Sequence, residues 1–189
     1  MTRRTDNEEE NLDSDNAAIP FTARLNAYYR AMESKLDNPL LVDPLAERLA
    51  GDLTKYFEKH RRFIGMGGSQ IARSYYIESK LLPSWCGDHE SSQIILLGAG
   101  LDTRVYRFMP LLKNSHSIFE LDLPVIIKYK EQALKDEKPL CKLIRISSDL
   151  SKSNWILDLK KRGYSSEIPT FWILEGLVYY IGQEQVHSL

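Results

Sequence analysis

The stretch Ile94-Ile95-Leu96-Leu97-Gly98-Ala99-Gly100-Leu101-Asp102-Thr103-Arg104 decides how the rest of the chain is read. Four apolar residues in a row suit a strand buried on both faces, as in a parallel sheet. Two glycines follow at once, and a residue without a side chain lets the backbone pass close to a bound ligand. Asp102 and Thr103 read as N-caps of the helix that the turn opens, and Arg104 as a side chain paired within the protein. A dinucleotide fingerprint would place a third glycine at position 103, where this chain has Thr103, so a phosphate-cradling turn is disfavoured. Taken alone, the motif also fits a plain tight strand-to-helix turn.

Working outward, short apolar runs place strands at residues 93–97, 117–122, 142–147 and 170–175. Helical patterns fill 103–112, 124–135 and 153–162, the second opened by Pro124 at its first position. Strands alternating with helices in this way predict a parallel α/β sheet with right-handed crossovers. Before this region the pattern is helical only. Leu25, Tyr28, Tyr29, Met32 and Leu36 form a stripe over residues 22–36. A short second helix has Asp43 as N-cap, Pro44 at its first position and Gly51 past its end. Gly65, Gly67 and Gly68 break the chain. A third helix runs from Ser69 to about Pro83, with Ile71, Ala72, Tyr75 and Leu82 on one face. The reading is therefore a disordered acidic tail at 1–18, a helical segment at 19–84 and a partial sheet domain at 85–189, with 19–189 forming one domain.

The composition of these 189 residues, 43% hydrophobic and 27% charged, is that of a globular protein. No apolar run approaches a membrane span, and the N-terminus lacks a signal-peptide core. Cys86 and Cys141 are far apart with no metal-ligand spacing, which fits a reducing cytoplasm and no metal site. The tail holds six acids against Arg3 and Arg4, and the net charge of −1 over the chain is too weak a bias to argue for nucleic acid.

Candidate chemistry gathers where the strands end. Asp122 closes the second strand 22 residues beyond Gly100, near the offset at which an acid accepts from both hydroxyls of a ribose. Glu120 shares its face and reads as a solvated or ion-paired strand residue. Asp149 follows the third strand at a position from which a side chain reaches the edge of an adenine, and an ordinary capping aspartate is the alternative there. Glu175 follows four apolar residues, at the end of the fourth strand. Tyr28, Tyr29, Tyr75, Tyr76, Tyr179 and Tyr180 read as core or cleft-wall residues. None of His60, His89, His116 and His187 sits in a recognisable triad.

Several segments together resemble the leucine carboxyl methyltransferase family of S-adenosylmethionine-dependent O-methyltransferases, above all its bacterial branch. They are Arg30-Ala31-Met32-Glu33-Ser34, Asp43-Pro44-Leu45-Ala46, the helix bearing Arg73, the glycine turn with Asp102-Thr103-Arg104, Glu120-Leu121-Asp122-Leu123-Pro124, and Glu175-Gly176-Leu177-Val178-Tyr179-Tyr180-Ile181. They stand in the family's order and span most of residues 20–189. The resemblance implies a class I methyltransferase Rossmann-like fold in which Gly98 and Gly100 approach the cofactor, Asp122 holds its ribose and Asp149 with Leu150 borders its adenine. It implies that Arg73 binds the carboxylate of the cofactor's methionine part, for which a bidentate guanidinium suits better than an ammonium. Glu175 lies near the methionine amino group in the same picture. Leu174 stands where the family commonly has alanine.

The expected reaction is methylation of a carboxyl or hydroxyl group on a small molecule or a protein C-terminus, without metal, nucleic acid or membrane. A nicotinamide-dependent oxidoreductase would also use the glycine turn and Asp122, but leaves Arg73, Glu175 and the missing third glycine unexplained. The resemblance also implies seven strands in the order 3-2-1-4-5-7-6 over about 300 residues, whereas this chain stops after the fourth. The expectation is thus a cofactor half without most of the acceptor pocket, with self-association through an exposed fourth strand. The alternative is a non-catalytic member that binds the cofactor or a protein partner.

Overall fold

The computed structural model describes residues 19–53, 56–57, 67–112, 115–152 and 154–187. The expected tail at 1–18, the break at Gly65, His60 and the helix start at Ser153 lie outside the described residues. The chain divides into two compact units, Met1–Arg73 and Ser74–Leu189.

In the first unit, α1 (Phe21–Glu33) packs against α2 (Ala46–Ala50). The fully buried residues of α1 are Arg24, Ala27, Tyr29 and Ala31; of the expected stripe Tyr29 is among them, Leu25 and Tyr28 pack half-buried against the same core, and Leu36 lies exposed beyond the helix end. Two small alanines let the helices approach, and Arg24 is buried because its guanidinium has carbonyls to bind. Its Nε donates to Ala50 O at 2.7 Å and a terminal nitrogen to Asp52 O at 3.3 Å, which caps α2 at Gly51 (φ 64°). The second helix is shorter than expected and begins at Ala46. Asp43 still acts ahead of it, since its carboxylate accepts the Leu45 N–H at 3.1 Å and pairs with Arg30 at 2.8 Å. Two of the resemblance segments therefore meet through Arg30 and Asp43. Tyr29, Leu41, Leu53, Phe57 and Ile71 form this unit's core.

The helix α3 (Gly68–Tyr76) does not stop at Pro83. It passes through a π turn, Ile77–Leu81, into α4 (Leu82–Asp88). The Leu82 N–H reaches back five residues to Ile77 O, and the widened turn accommodates Pro83, which has no N–H to continue an α ladder. Ala72, Tyr75 and Tyr76 are exposed rather than core.

Four parallel strands follow in the order β3-β2-β1-β4: β1 (Ser91–Leu97), β2 (Ser115–Asp122), β3 (Lys142–Ser147) and β4 (Thr170–Ile173). This is the α/β architecture read from the sequence. Strand alternation sends Ile94, Leu96, Ile118 and Ile173 to one face, with Leu82, Cys86, Val105 and Phe108 packed on them. Ile95, Leu97, Phe119, Leu121, Ile144 and Ile146 go to the other, against Leu150, Trp155 and Leu159. The helices between the strands are α5 (Arg104–Arg107), α6 (Pro124–Ala133) and α7 (Trp155–Lys161). The expected helix at 103–112 is split, with a 3-10 turn at Met109–Leu112, because Pro110 cannot donate into an α ladder. β4 ends two residues earlier than expected, its ladder to β1 stopping at Leu96 and Ile173, so Leu174 and Glu175 lie past it. After a 3-10 turn, Leu177–Tyr179, comes α8 (Gln183–His187). Among the described residues no helix is long and apolar enough to cross a membrane.

Candidate functional site

Gly98 and Gly100 take φ of 68° and 50°, values that side chains rarely adopt, and they turn the chain away from the end of β1. The turn is fastened to the end of β2, because the Gly98 and Ala99 N–H groups both donate to Leu121 O at 2.9 and 3.0 Å. The two glycines differ in their surroundings. A Cβ on Gly98 would come within 2.9 Å of the Leu177 side chain, so this glycine makes room for the protein's own packing. A Cβ on Gly100 would meet nothing nearer than Gly98 O at 4.0 Å. The space for a ligand to approach backbone is at Gly100.

Asp122 stands beside that space. Its Oδ2 accepts the Gly100 N–H at 2.6 Å and its Oδ1 the Leu123 N–H at 2.7 Å. Each oxygen keeps a further acceptor site. Burial pushes the carboxyl above the ordinary carboxylate range, although both N–H groups pull the other way. Glu120 is ion-paired, as expected, but wholly buried, with Lys130 Nζ at 2.8 Å and Arg145 Nε at 2.9 Å.

Glu175 belongs to a buried cluster of charges. Its Oε1 accepts from the Ser74 hydroxyl at 2.6 Å and its Oε2 from Arg104 at 2.7 Å. Arg104 also donates to Glu78 at 2.9 Å and to Asp102 at 2.5 Å, while Arg107 donates twice to Glu78, at 2.6 and 2.7 Å. The carboxylates of Glu78, Asp102 and Glu175 thus gather around the Arg104 and Arg107 guanidiniums. Burial opposes ionisation of Glu175 and of Asp102. For Glu175 the Arg104 guanidinium and the Ser74 hydroxyl outweigh it, and for Asp102 the Arg104 and Lys130 cations do, so both carboxyls sit below their ordinary values. Arg104 thus pairs within the protein, as read from the sequence. Asp102 does cap, accepting the Arg104 N–H at 2.8 Å, whereas Thr103 accepts from Arg107 instead.

The remaining expected residues have their own surroundings. Asp149 spends its carboxylate within its own turn, on the Ser151 hydroxyl at 2.6 Å, the Ser151 N–H at 3.0 Å and Lys152 at 3.2 Å; these partners hold its carboxyl below the ordinary range. Leu150 is a buried member of the core. Arg73 is an exposed residue of α3 in the first unit. Gly98, Gly100, Asp122 and Glu175 all lie in the second unit, at or just past the carboxyl ends of β1, β2 and β4. Ligands bind at that edge in open α/β sheets.

The sequence reading missed Ser74, Glu78 and Arg107. The only local sign was the four-residue spacing of Ser74 and Glu78, which puts both on one face of a helix. It also missed a buried serine–histidine contact, Ser92 Oγ to His116 Nδ1 at 2.9 Å, with Trp85 Nε1 donating to the same hydroxyl at 2.9 Å. This cluster sits at the amino ends of β1 and β2, about 20 Å along the strand from Gly98 at ~3.3 Å per residue. Among the described residues no group of three or more histidines, cysteines or acids is arranged to hold a metal ion.

A family model described as leucine carboxyl methyltransferase matches residues 23–189. A relative from Mycobacterium bovis, described as "Putative S-adenosyl-L-methionine-dependent methyltransferase", is 33% identical over 201 aligned residues, covering 97% of this chain and 56% of the relative. A protein of Mycobacterium tuberculosis with the same description has the same identity and coverage. One from Streptomyces coelicolor is 29% identical over 178 residues, covering 86% of this chain and 60% of its own length. The chain thus spans somewhat more than half the length of the curated relatives it matches. With the family's turn, acid and sheet order all present in the fold, the chain belongs to the leucine carboxyl methyltransferase family.

Proposed function

We propose that this chain binds S-adenosylmethionine and serves an O-methyltransferase that acts on a carboxyl or hydroxyl group. The observation that carries the reading is the 2.6 Å contact between Asp122 and the Gly100 N–H, beside backbone that a Cβ could enter freely. An acid held there retains acceptor sites for a ribose, and the ionised Glu175 carboxylate at the same edge of the sheet is the charge that a ligand cation such as an ammonium would meet. The cofactor's chemistry is a methyl group made electrophilic by its sulfonium. In this reading Asp122 orients the ribose, Glu175 receives the amino group, Arg73 takes the carboxylate, and Gly98, Gly100, Asp149 and Leu150 border the nucleoside, the last through its backbone. Methyl transfer is a displacement, so the protein's work is positioning and electrostatic matching. A carboxylate acceptor, on a small molecule or a protein C-terminus, is already ionised at neutral pH and needs no base, its reference pKa being about 4. We place the reaction in the cytoplasm, without metal, nucleic acid or membrane.

Calorimetry with S-adenosylhomocysteine tests the reading. Asp122→Ala and Arg73→Ala should each weaken binding by roughly 1.5–3 kcal/mol, the value of a hydrogen bond to a charged group. Unchanged affinity in both variants would remove the assignment. A radiolabelled methyl-transfer assay on a chain of the relatives' full length should give the same rate with and without a chelator.

A further inference from the structure

We infer that Glu120 and Lys130 are positioning residues for Asp122, a buried ion pair that holds the Asp122 carboxylate in place for a ligand's ribose hydroxyls; the inference rests on the cofactor reading above. Glu120 and Asp122 stand two apart on β2 and share one of its faces. The strand ends at Asp122, a single residue follows, and α6 starts at Pro124. Lys130 lies roughly two turns along that helix and reaches back to Glu120, Nζ to Oε1 at 2.8 Å. The pair therefore closes a loop whose apex is Asp122-Leu123-Pro124.

The geometry of that apex decides where the carboxylate points. The ladder to β1 stops at Leu97 and Leu121, so Asp122 has a strand beside it on the β3 side only. Its side chain is set by two backbone donors, the Gly100 N–H on Oδ2 and the Leu123 N–H on Oδ1. The second donor belongs to the crossing into α6, and its direction follows the angle at which the helix leaves the strand. The ion pair fixes that angle from inside, with side chains 0% and 1% exposed. Arg145 braces it from β3, its Nε donating to the other Glu120 oxygen at 2.9 Å and a terminal nitrogen to the Tyr106 hydroxyl on α5 at 2.6 Å. An ion pair this deeply buried is a poor device for stability alone, because desolvation offsets much of the attraction. Ile126 and Ile127 already bury apolar side chains from the same helix, and a third would serve packing as well. The charge has a further effect at the apex: burial raises the Asp122 and Asp102 carboxyls, and the Lys130 cation draws both down.

Calorimetry with S-adenosylhomocysteine tests this as a cycle: the unaltered protein, Asp122→Ala, Lys130→Met, and the two substitutions together. Lys130→Met leaves the Glu120 charge paired with Arg145, so it creates no lone buried charge. It should weaken binding about fivefold or more where Asp122 is present and less than about twofold where Asp122 is already removed, since a residue that acts through Asp122 then has nothing to position. Thermal unfolding checks each fold. Where Lys130→Met does not fold, Glu120→Gln combined with Lys130→Met takes its place in the cycle, because it removes both buried charges while the amide oxygen still accepts from Arg145. Equal loss in the two backgrounds is what a merely structural role would give. That result, no loss in a folded variant, or failure of both versions to fold would overturn the positioning role. An Asp122→Ala protein that binds as tightly as the unaltered one would instead overturn the ribose reading on which the inference rests.

Discussion

The Asp122 carboxylate and the Gly100 amide are 22 residues apart in the chain and 2.6 Å apart in space, with the carboxylate held by burial above its ordinary pKa. Such a group is less comfortable ionised in the fold than in the unfolded chain. Between its raised folded pKa and the ordinary value of about 3.9, the folded state binds more protons, so the contribution of Asp122 to stability grows as the pH falls through that window. Ligand binding should move the opposite way, because a protonated Asp122 has less to offer ribose hydroxyls. Asp122→Asn should remove both trends. Denaturant midpoints and S-adenosylhomocysteine affinities measured at pH 7 and pH 4.5 check the pair.

The two glycines of the turn should fail differently. Gly98→Ala places a Cβ within 2.9 Å of Leu177 at φ 68° and should cost about 1–3 kcal/mol of stability. Gly100→Ala meets open space, so it should cost about 1–2 kcal/mol for its φ alone, while still obstructing a ligand. Leu177→Ala should recover part of the Gly98→Ala loss and none of the Gly100→Ala binding defect. Paired unfolding and calorimetric measurements separate these outcomes.

What was legible in the sequence follows from the range over which each signal acts. The span of β3 and the turn after β1 come from apolar runs and glycines, which are local signals, whereas the order of the strands was implied only by the family resemblance. Asp122 was legible because its distance from the turn is set by the length of one crossover helix. The Arg104 cluster was not, since its partners stand 26, 71 and 101 residues apart along the chain and no periodicity links them. The split of the helix after the turn and the π turn before Pro83 both trace to prolines, whose effect on a continuing helix is known but whose remedy is chosen by packing.

His116 predicts a second pH dependence. Burial, then the neighbouring His89, keep its imidazole below the ordinary value near 6.5, so the fold holds it neutral while the unfolded chain takes up a proton first. Stability from this group is present above about pH 6.5 and is lost as the pH falls through that value toward the lower folded pKa. His116→Gln should flatten the decline in unfolding free energy between pH 7.5 and 5.5 without altering S-adenosylhomocysteine affinity, given its place at the far end of the strands. An unchanged slope would assign the decline to other groups.

The edges of the sheet are unequal, and this leads to the last prediction. β3 carries exposed Lys142 at its start, a charge that discourages another strand from pairing with it. β4 has no strand beyond it among the described residues, and it offers Trp172 at 38% exposure, followed by exposed Leu174, Val178, Tyr179 and Tyr180. One side of Trp172 is engaged by Trp155 and Tyr164, with ring centroids at 6.3 and 5.7 Å. Unpaired amides and carbonyls beside large apolar side chains favour association of copies. The 189-residue chain should therefore self-associate through β4, with methyl-transfer activity low or absent in that state. Trp172→Lys places a charge on the edge and should shift the species seen by light scattering toward the monomer. A chain that is monomeric before the substitution, at every concentration tested, would show that the β4 edge does not act in this way.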